Sequence, residues 1–396
     1  MFKIALVSNT DYSMYYFRLG LIRALLAKRY DVHIVCPDGK YVQEFEKEGV
    51  KCHRLYVDRK GTNPFNELRT IWQLLRIFKK ERFDLVHTFT IKPNIYGSIA
   101  AKFAGVPAIM NSVTGLGYVF IGSDFRRRLL KGLVVHLYRF ALKSSDKVIF
   151  ENEDDFQLFL EYRMLDSLRG VVIKSVGVNT AQYSSTNVDR KQLQELVHEL
   201  NLRHNGRKEV IVTLMSRLLW DKGIREFIDA ARILKPKYPQ TLFLLGGPID
   251  KGNPAAIPRE YGTQAEKEGL ITYLAERSDI LAILHISDIL TLPSYREGIP
   301  RVLLEAMSME KPIVTTNSVG CKEVVEEGKN GFLVPVKDHI ALASAIEKLI
   351  NNEELRIKMG KYGREKVLRE FDERIVVSKL LQIYEELVAN CGRKNG

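Results

Sequence analysis

The sequence has few cysteines, and their arrangement would not hold a fold together. They are scattered along the 396 residues with no C-x2-C pair, which argues against a structural zinc site and against a disulfide framework. This usage is typical of a reducing compartment, and we expect a cytoplasmic protein. The four are Cys36, Cys52, Cys321 and Cys391.

Long apolar runs and several enzyme motifs are also missing. The most apolar region, 97–122, is broken by Lys102, Pro107 and several glycines. Since crossing a bilayer takes about 20 mostly apolar residues, we predict no transmembrane helix. No signal-peptide pattern is expected before the first apolar run, at 3–7. A P-loop and a G-x-G-x-x-G after a strand are absent, so kinase and dehydrogenase functions have no support.

Positive charge is what the sequence has in surplus. Lys and Arg total 60 against 48 Asp and Glu, which gives a formal net charge of +12. Such a surplus favours an anionic partner, which could be a nucleic acid, a membrane surface or a phosphorylated substrate. With 45% hydrophobic and 27% charged residues, the composition is that of a soluble globular protein.

Short apolar strands alternate with helical segments through both halves of the chain, which predicts an α/β protein with two doubly wound parallel sheets. A strand at 209–215 opens the second set. We therefore predict a first domain at 1–180, a second at 181–374, and an amphipathic closing helix at 375–396.

Two glutamates lie in the most informative stretch of the sequence. A proline ends the apolar strand 289–292, a loop containing Glu297 and Gly298 follows, and Pro300 suits the first turn of a helix that contains Glu305. Two glutamates eight residues apart could be ordinary surface charges. Here both border the carboxyl end of a strand beside a helix N-terminus, where open α/β sheets bind ligands and phosphates.

This E-x7-E stretch resembles the signature of retaining glycosyltransferases of family 4. The resemblance implies the GT-B fold, in which two Rossmann-like domains face a cleft and the C-terminal helix crosses back to the first domain. It also implies that Glu305 holds the ribose hydroxyls of a nucleotide sugar and that Glu297 lies against the donor sugar and diphosphate. By the same resemblance, Gly298, Ile299 and Pro300 bind the donor.

A second motif follows the strand at 209–215. Arg217 and Lys222 stand on its strand-to-helix loop, where a bidentate guanidinium and an ammonium can clamp a diphosphate. Basic loop residues are more often solvated surface, but these two match the family's R-x4-K-G pattern. The resemblance implies that they stabilise the leaving diphosphate. Gly247 permits close backbone approach to the donor, and the segment around Arg277 is expected to border the base.

The sequence has no D-x-D motif, whose carboxylates hold a divalent metal against the diphosphate in glycosyltransferases of the A type. Together with Arg217 and Lys222, this absence predicts metal-independent phosphate handling, with no cofactor beyond the UDP-sugar substrate.

The first domain offers acceptor-binding candidates after its strands. His87 is the one that titrates near neutrality, although a hydrogen-bonded structural histidine is an equal alternative. Many family members have a histidine where this sequence has Thr114, so a role that rests on that histidine does not transfer. Arg18 and Lys92 could bind phosphate or could be surface residues. The full set is Thr10, Arg18, His87, Lys92, Thr114 and Gly115.

The segment 124–143 has helical amphipathicity. Leu129, Leu133 and Phe140 fall on one side, and several basic residues fall on the other. This pattern describes an interfacial membrane helix, and it equally describes a helix packed on the sheet with a solvated basic face. We favour contact with anionic lipid at the inner membrane face, and we expect no nucleic-acid partner because no recognition motif accompanies the charge. The expected membrane-contacting residues are Arg126, Arg127, Arg128 and Lys131.

Four segments, at 173–179, 219–223, 277–280 and 292–298, resemble more narrowly the family members that act on undecaprenyl-diphosphate-linked sugars. This implies retaining transfer of an N-acetylhexosamine such as GalNAc from a UDP-sugar to a polyprenyl-diphosphate-linked saccharide in bacterial glycan assembly. Alternatives are a capsule or O-antigen transferase with another donor sugar, and a GT-B-fold UDP-sugar epimerase. A non-catalytic nucleotide-binding protein and a transferase with a soluble acceptor also stay open.

Overall fold

The chain forms two compact units in the computed structural model. The first unit comprises Met1–Gly177 and Glu373–Gly396, and the second comprises Val178–Asp372. The chain therefore passes from one unit to the other twice, close to the positions where the sequence predicts a change of domain. The structure describes residues 1–58, 61, 63–117, 120, 125–202, 209–250, 253 and 255–394, without the side chains of 126, 127 and 392–394.

The first unit is built on a seven-stranded parallel sheet in the order β3-β2-β1-β4-β5-β6-β7. Leu6 on β1 pairs with Ile34 on one side and His87 on the other, so the order reverses beside β1. The residues of β1 from Ile4 to Val7 are fully buried, as expected for a parallel strand covered on both faces. The strands are β1 (Lys3–Val7), β2 (Asp31–Cys36), β3 (Lys51–Arg54), β4 (Leu85–Phe89), β5 (Ala108–Val113), β6 (Lys147–Phe150) and β7 (Gly170–Val172).

Helices connect these strands. Asparagine side chains cap the amino ends of two of them. Asn63 accepts a hydrogen bond from the Phe65 amide, and Asn152 accepts one from the Asp155 amide. The helices are α1 (Asp11–Ala27), α2 (Val42–Lys47), α3 (Pro64–Glu81), α4 (Ser98–Ala104), α5 (Phe125–Ala141) and α6 (Glu153–Glu161).

The second unit repeats the architecture with a six-stranded parallel sheet in the order β10-β9-β8-β11-β12-β13. Its strands are β8 (Ile211–Met215), β9 (Leu242–Gly246), β10 (Thr272–Tyr273), β11 (Ile289–Leu292), β12 (Ile313–Thr316) and β13 (Gly331–Val334). Its helices are α7 (Arg190–Glu199), α8 (Ile224–Leu234), α9 (Arg259–Lys267), α10 (Ile280–Ile286), α11 (Arg301–Ser308), α12 (His339–Ile350) and α13 (Glu353–Glu370).

The last helix, α14 (Glu373–Lys394), belongs to the first unit and confirms the predicted return of the chain. It packs against α1 and β5 and adds Val376, Leu380 and Tyr384 to the core of that unit. The Tyr384 hydroxyl lies 2.6 Å from Nδ1 of His87 in the sheet. Within the described residues, none of the helices combines the length and the hydrophobicity that a membrane crossing requires.

The faces of α5 differ from the predicted division. Val134, Val135 and Tyr138 pack inward, while Lys131 and Arg139 are half-buried. The Lys131 ammonium lies over the ring of Tyr162, and the Arg139 Nε donates to the Tyr162 carbonyl. A solvated basic face on these two residues is therefore a wrong expectation, because both find partners inside the unit. The exposed fractions are 80% for Phe125, 70% for Leu129, 56% for Leu133 and 50% for Phe140.

Candidate functional site

The candidate site lies where the strand order of the second sheet reverses. β8 and β11 are neighbours there, and the loops that follow them contain Lys222 and Glu297. Open α/β sheets bind ligands at such switch points. The structure brings the two side chains into contact, with Lys222 Nζ 2.5 Å from Glu297 Oε1. They are 12% and 16% exposed, so this ion pair is well shielded yet reachable from solvent.

The loop after β8 is held in place by the loop after β11. A single 3-10 turn, Trp220–Lys222, ends at Gly223, which has φ of +73°. The Asp221 carbonyl in that turn accepts from the Tyr295 amide at 2.8 Å and from the Ser294 hydroxyl at 3.0 Å. A Cβ atom added at Gly223 would lie 2.2 Å from the Pro293 carbonyl oxygen, so only glycine fits there.

The loop after β12 supports Glu297 from its other side. The Glu297 amide donates to the Val319 carbonyl at 3.0 Å. Gly320 has φ of +81°, and a Cβ atom there would lie 2.0 Å from the Gly298 carbonyl oxygen. Ile299 and Pro300, the next two residues, are buried. The carboxylate of Glu297 is therefore presented by a backbone that three adjoining loops fix.

Glu305 lies one turn into α11, as the sequence predicts. The helix begins at Arg301, so Pro300 is the residue before it and not, as expected, part of its first turn. The extended backbone of Pro300, with ψ of 109°, explains this difference. Glu305 Oε1 lies 2.9 Å from Arg301 Nε. Burial raises the pKa of the Glu305 carboxyl, and the nearby Arg301 charge opposes this shift.

Arg217 and Arg277, the other two predicted cations of the second unit, are paired with carboxylates. Arg217 is half-exposed, and its Nη1 lies 3.0 Å from Asp250 Oδ2. Arg277 contacts both Asp279, at 2.6 Å, and Glu199, at 2.9 Å. An anionic ligand at either guanidinium would therefore have to compete with these carboxylates or bind N–H groups of the guanidinium that they do not contact.

Gly247 lies in the loop after β9 with φ of +137°, a conformation that essentially only glycine adopts. A Cβ atom there would lie 1.7 Å from the Ser216 carbonyl oxygen. The loop that contains Arg217 therefore packs directly on the backbone at Gly247.

Two of the first-unit candidates have local structural partners. Thr10 caps α1 by accepting from the Ser13 amide at 3.0 Å. His87 is fully buried, with Nδ1 paired to Tyr384 and Nε2 2.8 Å from the Ser112 hydroxyl. Burial lowers the pKa of His87 well below its usual range. This geometry fits the structural alternative for His87, and its role in acceptor binding stays a prediction.

The remaining first-unit candidates differ in their surroundings. Arg18 is buried, with its guanidinium 4.5 Å from the centre of the Phe89 ring. Lys92 donates to the Gly61 carbonyl at 2.7 Å and pairs with Glu67 at 2.5 Å. Thr114 and Gly115 follow β5 and are half-buried, and Gly115 has φ of +107°. Acceptor binding by these residues stays a prediction as well.

Among the predicted membrane-contacting residues, Arg128 is exposed on α5 and Lys131 is half-buried against Phe120 and Tyr162. The side chains of Arg126 and Arg127 lie outside the described residues.

Sequence reasoning missed the glycines that fix the loops and the carboxylates that pair with the arginines. Gly223 approaches the Pro293 carbonyl oxygen and Gly320 approaches the Gly298 carbonyl oxygen, each in another loop, and the sequence does not show these contacts. Asp250 and Glu199 are far in sequence from the arginines that they contact. A sequence signal existed only for Gly223, which completes the K-G pair of the second motif.

Comparison with known proteins identifies the family. A protein-family model described as "Glycosyl transferases group 1" matches residues 197–366, and a second family model described as "Glycosyl transferase 4-like" matches residues 3–152. The chain is 31% identical to the N,N'-diacetylbacillosaminyl-diphospho-undecaprenol alpha-1,3-N-acetylgalactosaminyltransferase of Campylobacter jejuni, over 98% of this chain and 100% of the relative. The chain belongs to the group 1 glycosyltransferases.

Two further relatives are also glycosyltransferases. It is 28% identical to the capsular polysaccharide biosynthesis glycosyltransferase CapM of Staphylococcus aureus, over 92% of each chain. It is 26% identical to the UDP-Gal:alpha-D-GlcNAc-diphosphoundecaprenol alpha-1,3-galactosyltransferase of Escherichia coli, over 92% of this chain and 91% of the relative.

Solved structures confirm the GT-B fold of this glycosyltransferase. A glycosyltransferase from Rickettsia africae aligns with a TM-score of 0.77 at 22% identity, covering 98% of this chain and 99% of that one. Anabaena Alr3699/HepE in complex with UDP aligns with a TM-score of 0.76 at 19% identity, covering 97% of this chain and all of that one.

Proposed function

We propose that this protein is a retaining, metal-independent glycosyltransferase that moves a sugar, an N-acetylhexosamine such as GalNAc, from a UDP-sugar to an undecaprenyl-diphosphate-linked saccharide. The observation on which this rests is the contact between Lys222 and Glu297 at the switch point of the second sheet. It places an ammonium for the diphosphate beside a carboxylate for the sugar. Both groups are shielded enough from water for their charges to act strongly.

In the proposed reaction, Lys222 and Arg217 bind the donor diphosphate and stabilise the charge that grows on it as the bond to the sugar C1 breaks. An acceptor hydroxyl oxygen forms its bond to C1 on the same face. Its proton passes to the departing diphosphate oxygen, which accounts for the absence of a clear general base in the sequence. Pre-placed charges of this kind are worth several kcal/mol in the transition state.

Glu305 accepts hydrogen bonds from the ribose hydroxyls in this proposal. Its position on α11, supported by Arg301, holds the carboxylate without help from the ligand. Gly298, Ile299 and Pro300 form the backbone beside the diphosphate, at the amino end of α11. Gly247 and Arg277 complete the donor side, with Arg277 next to the base.

The relatives support the choice of substrates. The Campylobacter and Escherichia relatives are named for diphosphoundecaprenol-linked acceptors, and the Escherichia relative is also named for a UDP-sugar donor. The Anabaena structures contain UDP, UDP with glucose, or UDP-glucose. The more similar Campylobacter relative favours N-acetylgalactosamine over galactose as the transferred sugar.

The exposed side chains of α5 support action at an anionic membrane surface. Phe125, Leu129, Leu133 and Phe140 present large apolar groups to solvent, with Arg128 exposed among them. A helix that lies in the interface of an anionic bilayer inserts apolar side chains and uses basic side chains to attract the lipid headgroups. We propose a peripheral, cytoplasmic-face location on this basis.

The test is turnover with a panel of UDP-sugars, with and without a short-chain polyprenyl-diphosphate sugar, in the presence of EDTA. The expected result is transfer only when the lipid-linked acceptor is present, unchanged by EDTA, with an α-configured product by NMR. A β-configured product from an α-linked donor would exclude retention. Loss of turnover in EDTA that added Mg²⁺ restores would exclude metal independence.

The same panel separates the other candidate functions. The similarity to the Staphylococcus capsule enzyme favours a second possibility, transfer of another donor sugar in capsule assembly. Preference for a donor other than UDP-GalNAc would support it. Conversion of the UDP-sugar to an epimer without any acceptor would instead identify an epimerase.

A further inference from the structure

Three potential metal ligands meet at one edge of the first unit. His33 lies on β2, His53 on the neighbouring edge strand β3, and Glu81 is the last residue of α3. One ligand atom from each lies within 4.8 Å of the others. His33 Nδ1 is 2.8 Å from His53 Nε2 and 4.0 Å from Glu81 Oε2. Their spacing in the sequence matches no metal motif, so only the folded sheet brings them together.

A fourth residue orients the first histidine. His33 Nε2 lies 3.1 Å from Asp31 Oδ1, which makes that nitrogen the donor of the ring. The Nδ1 lone pair then points toward His53 and Glu81. Ligating histidines in metal sites commonly donate their other ring N–H to a carboxylate, which fixes the tautomer and raises ligand basicity.

Burial and charge complete the description of the cluster. His33 is fully buried. Glu81 supplies the negative charge, although Lys3 Nζ lies 3.5 Å from the same Oε2 atom and would compete for it.

We propose that His33, His53 and Glu81 bind a zinc ion, with water as the fourth ligand. Two imidazoles, one carboxylate and an open position form a set that zinc accepts, with ligand bonds of about 2.0–2.2 Å. A small rotation of the His53 ring, replacing its hydrogen bond to His33, would admit the ion. The ion would tie the edge strand β3 to β2 and to the end of α3.

This site is separate from the proposed transfer chemistry. Glu81 ends α3 and contacts Lys3, the first residue of β1, so the cluster lies toward the amino ends of the strands. The donor-site loops all follow carboxyl ends and belong to the second unit. Zinc at this position would stabilise the first unit, and its removal should leave turnover at moderate temperature unchanged.

The test is titration of the full chain, first freed of metal by dialysis, with Zn²⁺ and separately with Co²⁺. We expect one zinc per chain, a melting temperature several degrees higher with zinc, and the visible absorption bands of four-coordinate cobalt. His53→Gln should abolish the cobalt bands, and Glu81→Gln should weaken zinc binding at least tenfold. His136→Gln, which removes an exposed histidine on α5, is the matched control and should bind normally.

Lys3→Met separates ligation from a merely structural cluster. Removal of the competing ammonium should tighten zinc binding, whereas a role limited to packing would show only the lower stability of the variant. Absence of cobalt bands in the wild-type chain, or equal zinc affinity in the wild type and His53→Gln, would overturn the proposal and leave a hydrogen-bonded histidine pair. Neither result bears on sugar transfer, which is measured in EDTA.

Discussion

Single residues of the donor site act through charges that are only partly screened. Lys222 and Glu297 form a close ion pair, and both side chains lie near the proposed position of the diphosphate. The ammonium is therefore available to the ligand without a large rearrangement, since exchange of one anion for another keeps it paired. Glu305 is held by a partner of its own, Arg301, and does not depend on Lys222.

Replacement of Lys222 by alanine should lower kcat by about 100- to 1,000-fold, because the charge that develops on the leaving diphosphate loses a pre-placed donor. The measurement is steady-state transfer from the UDP-sugar to the lipid-linked acceptor. Lys237→Ala removes a surface ammonium that pairs with Glu347 and should leave kcat unchanged. Near-normal turnover by Lys222→Ala would remove Lys222 from the catalytic groups.

Gly320→Ala tests the backbone that presents Glu297. Gly328 is its control, because the two glycines have φ of +81° and +75°, but a Cβ atom meets the Gly298 carbonyl only at Gly320. Both variants share the cost of a positive φ, roughly 1 kcal/mol. We expect Gly320→Ala to lose more unfolding free energy and to raise the KM for the UDP-sugar, and Gly328→Ala to leave that KM unchanged. Equal effects in the two variants would mean that the loop contact does not matter.

Among the secondary-structure elements, α5 and α14 show how far pattern alone predicts a structure. The periodicity of α5 correctly predicts an amphipathic helix, but it does not tell which side packs inward. In the structure, Val134, Val135 and Tyr138 pack inward, and Lys131 and Arg139 contact Tyr162, which comes later in the chain. The apolar residues thus left outside, Leu129 and Leu133 among them, are the strongest structural reason to expect membrane contact.

Leu129→Gln with Leu133→Gln should weaken binding to vesicles that contain anionic lipid by about tenfold or more, because two apolar side chains no longer enter the interface. Co-sedimentation with vesicles measures this. Ile340→Gln with Ile357→Gln is the control, since these exposed residues lie in the second unit. Binding that falls equally in both double variants, or in neither, would contradict a specific role of α5.

Tyr384→Phe tests how α14 is held in the first unit. The variant removes one hydroxyl and leaves a ring nitrogen of His87 buried without its partner, which costs about 1–3 kcal/mol. Denaturant unfolding should show this loss. Tyr30→Phe, at a ring that packs edge-on against Phe2, should change the unfolding free energy little. A negligible effect of Tyr384→Phe would mean that the hydrogen bond does not help to fix the helix.

For the whole molecule, the sequence predicts more of the fold than of the site geometry. Strand–helix alternation and the two loop motifs depend on neighbouring residues, so the two parallel sheets and the places of Lys222 and Glu305 could be inferred. Strand order could not, and it is the adjacency of β8 and β11 that brings Lys222 to Glu297. The cluster of His33, His53 and Glu81 could not be predicted for the same reason, because it depends on the pairing of β2 with β3 and on the end of α3.

We propose that the loops after β8 and β11, with α11, form a UDP-sugar site that needs no metal. The most direct measurement is isothermal titration of UDP in EDTA against the wild type, Glu305→Ala and Glu354→Ala, with unfolding curves to verify that each variant is folded. We expect UDP to bind the wild type and Glu354→Ala equally and to bind Glu305→Ala at least tenfold more weakly. Equal affinity in all three, or no binding to the wild type without a metal ion, would contradict it.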